Sequence, residues 1–228
     1  MDRALYIAMS GAKQNTVSQT AHSNNLANAS TTGFRSDYTQ SRAQPVFGDH
    51  FPTRAFAMAE RPASDLRQGP LQETGRALDV SIEGEGWFVV LGADGEEAYT
   101  RAGDLSVDPQ GRLLNARGLQ MMGDGGPAVL PPYESIEIAR DGTISIQGQG
   151  EEAEAIAEVM QLRMVNPDPK TLEKGTDGLF RIRDRQPGDP GAPIDPNMSL
   201  ISGFVEGSNV NAVTELTQVL AMNRQYEM

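Results

Sequence analysis

Apolar residues recur at helical spacing from about Arg3, at Leu5, Ala8, Met9, Ala12, Val17, Ala21 and Leu26. That period predicts an amphipathic helix. The cluster Ser30-Thr31-Thr32-Gly33 ends it, because Gly33 can take the left-handed backbone that other residues avoid. Far downstream the pattern returns: Val210, Val213, Leu216, Leu220 and Asn223 share one face between Asn209 and Met228. Asn209 or Asn211 supplies the N-cap, since a short carboxamide accepts the first orphan N–H bonds of a helix.

From about Arg76 the period changes to two. Leu78-Asp79-Val80-Ser81-Ile82 alternates and Trp87-Phe88-Val89-Val90-Leu91 is a continuous apolar strand. Asp94-Gly95 and Asp141-Gly142 are hairpin turn signals, and Asp108-Pro109-Gln110-Gly111 turns between Leu105-Ser106-Val107 and Arg112-Leu113-Leu114. Val159–Val165 reads as one longer strand, Asp177–Ile182 as another, 186–197 as a surface loop, and Met198–Gly207 as a last strand. Short strands with this turn chemistry predict an antiparallel β-sandwich or partly closed barrel, inserted between the terminal helices. The stretch 36–75 fits neither period. Pro45, Pro52, Pro62 and Pro70 forbid a continuous helix there and favour extended backbone. A mobile linker and an extended arm packed on a neighbour are the competing readings, and Phe34, Tyr38, Val46, Phe47, Phe51 and Phe56 weigh against full disorder.

The terminal helices do not look self-sufficient. Large apolar side chains are few, and Asn15, Gln19, His22, Asn24 and Asn25 stand where a simple core would want leucine. A hairpin packed on its own domain is one reading. The other is that the two ends order only against each other and against further subunits, because isolated helices are marginal in water.

Charge and chemistry then narrow the function. With Lys+Arg 19 against Asp+Glu 31, a formal net charge of −12 argues against nucleic acid, whose binding rests on neutralising phosphates, and against anionic membrane surfaces. There is no cysteine, hence no disulfide, and no apolar run long enough for membrane insertion. Two histidines, His22 and His50, are poor material for a zinc site or a nucleophile–base triad. Asp79 and Asp104 are the sort of carboxylate pair a glycosidase uses, but with so many acids some pair is always available. Gly84-Glu85-Gly86 precedes a strand rather than a helix, so it reads as a turn or bulge and not as a phosphate cradle. Glu151-Glu152-Ala153-Glu154 reads as a solvated loop. No catalytic residue, metal site or cofactor is expected. A glycan-binding β-module with Trp87 as its stacking residue is the remote alternative, set against Trp87 as core.

Ser23-Asn24-Asn25-Leu26-Ala27-Asn28-Ala29-Ser30-Thr31-Thr32-Gly33-Phe34-Arg35 resembles the N-terminal signature of the bacterial flagellar rod and hook proteins, the axial family of the flagellum. The run Ser202–Asn211 through Met222–Met228 is similar to that family's C-terminal signature. Gly84-Glu85-Gly86-Trp87-Phe88 and Ala98–Gly103 resemble strands of its outer domain. The opening Met1–Met9 and the ending Gly33-Phe34-Arg35 most resemble proximal-rod members. The resemblance implies an axial helix with its signature over 1–35, a proline-rich connection over 36–75, a β outer domain over 76–207, and an axial helix from 208 to 228. Met228 still lies inside the helical pattern, so that last helix is expected to be incomplete. The implied function is a structural subunit of the basal-body proximal rod, with a distal-rod or hook-type protein as the alternative. Implied partners are other rod proteins, copies of itself and the flagellar export apparatus, which uses no cleaved signal peptide; the implied location is the rod in the periplasmic space. The assembly interface expected on this basis comprises Leu5, Met9, Asn24, Asn25, Leu26, Asn28, Phe34, Asn209, Val210, Asn211, Val213, Leu216, Leu220 and Tyr226.

Overall fold

Uninterrupted by proline, the N-terminal apolar pattern forms helix α1 (Asp2–Ala27) in a computed structural model that describes residues 2–45, 55–148, 156–186, 189 and 191–227. Helix α2 (Ala212–Glu227) is N-capped by Asn211, whose Oδ1 accepts from the backbone N–H groups of Val213 and Thr214, both at 3.1 Å. The chain divides into two units: Met1–Ser30, Arg35–Arg67 and Ser208–Met228 in one, Thr31–Phe34 and Gln68–Gly207 in the other.

In the helical unit α1 and α2 are antiparallel: Asn15 and Gln19 reach the C-terminal half of α2, while His22, further along α1, reaches its first turn. Asn15 Nδ2 donates to the Met222 carbonyl at 3.0 Å, Gln19 Nε2 to Asn223 Oδ1 at 2.6 Å, and His22 Nδ1 lies 2.6 Å from Glu215 Oε2. The proline-rich stretch contributes an antiparallel hairpin of β1 (Asp37–Pro45) and β2 (Ala55–Ser64). Its register shifts between Tyr38 and Gln40, opposite Arg61-Pro62, where proline has no N–H to give to the ladder. Val46, Phe47, His50 and Phe51 lie outside the described residues.

In the other unit, antiparallel strands follow one another along the chain. They are β3 (Leu71–Glu73), β4 (Val80–Glu83), β5 (Trp87–Leu91), β6 (Glu97–Thr100), β7 (Leu105–Val107), β8 (Leu113–Asn115), β9 (Met122–Gly123) and β10 (Gly126–Pro127). Next come β11 (Tyr133–Ile138), β12 (Thr143–Gly148), β13 (Ile156–Gln161), β14 (Met164–Val165), β15 (Leu172–Lys174), β16 (Phe180–Ile182), β17 (Ser199–Ser202) and β18 (Phe204–Glu206). The five-stranded sheet has the order β14-β5-β6-β16-β15 and the three-stranded one β11-β12-β13; the remaining strands pair two by two. Among the described residues no sheet closes into a barrel, and the fold is mainly β with a helix near each end.

Two expected strands are broken. The run Val159–Val165 divides into β13 and β14 at Leu162-Arg163, where Leu162 bridges to Gly123 and the Arg163 N–H donates to Met122. The run Met198–Gly207 divides at Gly203, whose φ of 81° only glycine takes without strain. As a result β17 pairs with β4 while β18 pairs with β3. The core of this unit gathers Val80, Ile82, Phe88, Val90, Leu105, Leu113, Met121, Ile144, Leu162 and Leu200. The acidic run 151–154 lies outside the described residues.

Candidate assembly surface

The signature asparagines act mostly within the chain. Asn25 is only 1% exposed; its Nδ2 donates to the Asp37 carbonyl and its Oδ1 accepts from the Asp37 N–H, both at 2.9 Å. A carboxamide thus imitates a neighbouring strand at the root of β1. From the C-terminal signature, Asn209 does the same work. Its Oδ1 accepts from Ser36 N–H at 2.7 Å and its Nδ2 donates to the carbonyls of Asp65 and Arg67 at 2.9 and 3.0 Å. Asn28 Nδ2 bonds to the carbonyl and to Oδ1 of Asn24 at 2.9 and 2.7 Å, closing the last turn of α1. At the same root Asp65 accepts from the Arg67 guanidinium at 2.6 Å and from the Tyr38 hydroxyl at 2.8 Å. The Arg67 side chain first, with help from its backbone N–H and from Tyr38, outweighs burial and lowers the Asp65 pKa from 3.8 to about 2.

The end of the N-terminal signature is built into the β unit. Gly33 has φ 67°, and a Cβ there would stand 2.4 Å from both Ala102 N and Arg101 C. Its N–H donates to the Glu206 carbonyl at 2.7 Å. Next to it, the Lys174 ammonium sits 3.9 Å above the Phe34 ring, a cation–π contact. Thr32 donates to Asp104, which faces Asp79 across an isolated antiparallel bridge; burial is the main cause that raises the Asp104 pKa.

The aliphatic residues of the helices take the opposite position. Leu5 is 66% exposed, Met9 61%, Val213 73%, Leu216 48% and Leu220 51%, with Tyr6 and Val17 also exposed. On α1 the buried positions are instead Gln14, Ser18 and Asn25. Leu26, Phe34 and Val210 are half-buried, Asn24 and Asn211 are exposed, and the side chain of Tyr226 lies outside the described ones. Of the residues singled out in the sequence, the structure therefore brings Asn25 and Asn209 to one internal junction and leaves Leu5, Met9, Val213, Leu216 and Leu220 open.

Trp87 is 5% exposed, 4.5 Å from Phe180 between ring centroids and 5.7 Å from the Arg101 guanidinium, so it has no open face for a sugar. Among the described residues no group of three or more His, Asp or Glu converges as a metal site, and no helix is long and apolar enough to cross a membrane. Sequence reasoning missed Arg101 and Glu206, a buried ion pair at 3.2 Å. The available signal was a lone charge inside an otherwise apolar strand end, Phe204-Val205-Glu206-Gly207.

Comparison with known proteins gives three family matches along the chain. Residues 5–35 match the family described as flagella basal body rod protein, 81–146 the flagellar hook protein FlgE/F/G D1 domain, and 201–228 the flagellar basal body rod FlgEFG protein C-terminal family. The flagellar basal-body rod protein FlgF of Escherichia coli K12 is 40% identical over 230 residues, covering 100% of this chain and 91% of the relative. The FlgF of Caulobacter vibrioides is 30% identical over 237 residues, covering 100% and 90%. The flagellar basal-body rod protein FlgG of Agrobacterium fabrum is 30% identical over 246 residues, covering 99% and 92%.

Proposed function

Because the chain belongs to the FlgF family of flagellar basal-body rod proteins, we propose that it is the proximal-rod subunit and assembles into a helical tube through its terminal helices. It is a structural subunit of the basal-body rod, not an enzyme. The 40% identity to the FlgF proteins of Escherichia coli and Salmonella typhimurium, above the 31% that the FlgG relatives reach, favours the proximal over the distal position. The observation that carries the assembly reading is the inversion on the helices: Leu5, Met9, Val213, Leu216 and Leu220 open, Gln14, Ser18 and Asn25 buried. Aliphatic side chains at helical spacing on an exposed face call for a partner, and the partners are copies of this chain and other rod proteins. Asn24, Leu26, Asn28, Phe34, Val210, Asn211 and Tyr226 complete the interface, and Asn25 and Asn209 shape it from within. A heterologous contact repeated by a screw operation yields an open tube.

The terminal helices gain most of their stability only when this face is covered, which keeps the chain threadable for an export apparatus that removes no signal peptide and delivers it to the periplasmic section of the rod. For the domains, the outer domain corresponds to the β unit and the axial part to the helices with the connecting hairpin. The β unit packs in the manner of a sandwich, since Phe88, Val90 and Ala98 of one sheet share a core with Ile138, Ile144 and Ile146 of the other.

The test is complementation of a motile bacterium lacking its proximal-rod gene with Leu216→Ser/Leu220→Ser. The expected result is no rod beyond the point where this subunit enters, with the unfolding midpoint of the purified β unit's signal unchanged. Normal rods from this variant would overturn the reading.

A further inference from the structure

Glu206 occupies an unusual place. The chain passes between its two units after Ser30, Phe34, Arg67 and Gly207, so the β unit is joined to the rest through Thr31–Phe34, Gln68-Gly69 and Glu206-Gly207. Inside that unit all three meet at one residue. The Glu206 carbonyl accepts from Gly33 N–H at 2.7 Å, its Oε1 accepts from Gly69 N–H at 2.9 Å, and Gly207 N–H donates to the Pro70 carbonyl at 2.8 Å. Its Oε2 pairs at 3.2 Å with Arg101 Nη1, which also donates to the Ile82 carbonyl at 3.3 Å, while Arg101 Nη2 donates to the Gly84 carbonyl. Glu206 is fully buried and Arg101 almost so. Strand β18 itself runs beside β3, with Glu206 opposite Leu71.

We propose that Glu206 is the fastener through which mechanical load enters the β unit, making the roots of its three connecting segments move as one block with the end of β6. A fold that only needed stability would do as well with apolar residues here, since a buried ion pair is seldom better than a well-packed apolar replacement of its volume. What the ion pair adds is direction: two carboxylate oxygens and one carbonyl fix three chain segments at once. In an assembled rod under load, a force reaching any one of these segments is then shared by all. This rests on the rod reading above, and the experiment separates the two.

The variants are Glu206→Leu, which removes the acceptor of the Gly69 N–H and takes the carboxylate away from Arg101, and the double variant Glu206→Leu/Arg101→Met, which removes both charges together and so spares the fold a buried cation. Hydrogen exchange on the isolated chain needs no assembly. In whichever variant folds, the Gly33 and Gly69 amides are expected to exchange about tenfold faster, with Val89 and Leu113 unchanged. Unchanged exchange at Gly33 and Gly69 would overturn the fastening whatever becomes of the rod. In cells the double variant is expected to build rods and swim in thin medium but to lose speed disproportionately in medium thickened with methylcellulose. Equal speed at high viscosity would overturn the load role, and so would absence of rods with the β unit folded, because Glu206 would then serve assembly instead.

Discussion

Replacing Gly33 by alanine tests how the N-terminal signature is joined to the β unit. Two costs arise at once. Alanine at φ 67° costs about 1–2 kcal/mol relative to glycine. The new methyl would stand 2.4 Å from Ala102 N and Arg101 C and 2.8 Å from the Arg101 carbonyl oxygen, all backbone atoms that cannot swing aside. Overpacking of this kind adds about 1–3 kcal/mol. The strain has an outlet, which limits the observed loss: the segment Thr31–Phe34 can leave its seat. Leaving forfeits the hydrogen bond from Gly33 to Glu206, worth about 1 kcal/mol, and the Lys174–Phe34 contact, worth about 0.5–2 kcal/mol. The cheaper route is therefore detachment, at about 1.5–3 kcal/mol, with the β core intact. Gly75→Ala is the control, since Gly75 has φ 69° and nothing within 4 Å of an added Cβ; it should lose only the backbone cost of about 1–2 kcal/mol and leave the segment Thr31–Phe34 seated. Urea unfolding followed by the single tryptophan, Trp87, reads the first quantity, and the rate of trypsin cleavage after the buried Arg35 reads detachment. Gly33→Ala indistinguishable from Gly75→Ala on both measures would refute the reasoning.

Other consequences can be measured on the same purified chain. Asn25→Ala removes the buried carboxamide that bonds both the N–H and the carbonyl of half-buried Asp37 and should cost about 1–3 kcal/mol of the helical unit's stability by circular dichroism, more than the exposed Asn24→Ala. Two carboxyls shape the acid limb in opposite senses. The lowered pKa of Asp65 contributes stability present above pH 3.8 and lost as pH falls through about 2, so Asp65→Asn should be less stable than the native chain at neutral pH and converge with it in strong acid. The raised pKa of Asp104 makes its folded carboxyl prefer the proton, so its stabilising contribution is present below 3.8 and lost as pH rises; Asp104→Asn should gain stability at neutral pH and none in acid. Melting temperatures of the two variants across pH 2–7 that run parallel to the native curve would contradict both assignments.

Much of the β unit was legible because local chemistry and global topology agree there. Asp-Gly at 94–95, 141–142 and 177–178 sets three turns whose glycines have φ 80°, 87° and 77°. The apolar run 87–91 becomes the inner strand β5 because both of its faces are covered. The β1–β2 hairpin was not legible, since Asp37-Tyr38-Thr39-Gln40-Ser41-Arg42-Ala43-Gln44-Pro45 has no period-two pattern and carries proline at its end. Its position depends on carboxamides from distant points, Asn25 and Asn209, and a hydrogen bond between residues 173 positions apart leaves no local trace. For the same reason the asparagines of both signatures stood out in the sequence without disclosing that they clasp backbone. Arg101 was hidden more thoroughly, because on its own it reads as an ordinary surface charge, and the lone charge of Glu206 after Phe204-Val205 does not disclose a partner 105 positions away.

The helices raise the question of where their stability comes from. The side-chain hydrogen bonds between them are a carboxamide on a carbonyl, two amides side by side, and a histidine on a glutamate. Net, such bonds contribute about 1 kcal/mol each in water-exposed settings. The side chains left open are worth more. Leu5, Met9, Val17, Val213, Leu216 and Leu220 are already partly covered; at about 1.5–3 kcal/mol for a side chain taken from fully exposed to buried, their open parts hold roughly 5–10 kcal/mol in reserve. That is comparable with the whole stability of an ordinary domain, about 5–15 kcal/mol. A chain that spent those residues on its own core would have little left with which to hold a neighbour. With polar groups inside and aliphatic ones outside, the balance between folding alone and folding in company tips toward the second, and the concentration of subunits at the growing end becomes the variable that decides whether the helices are firm.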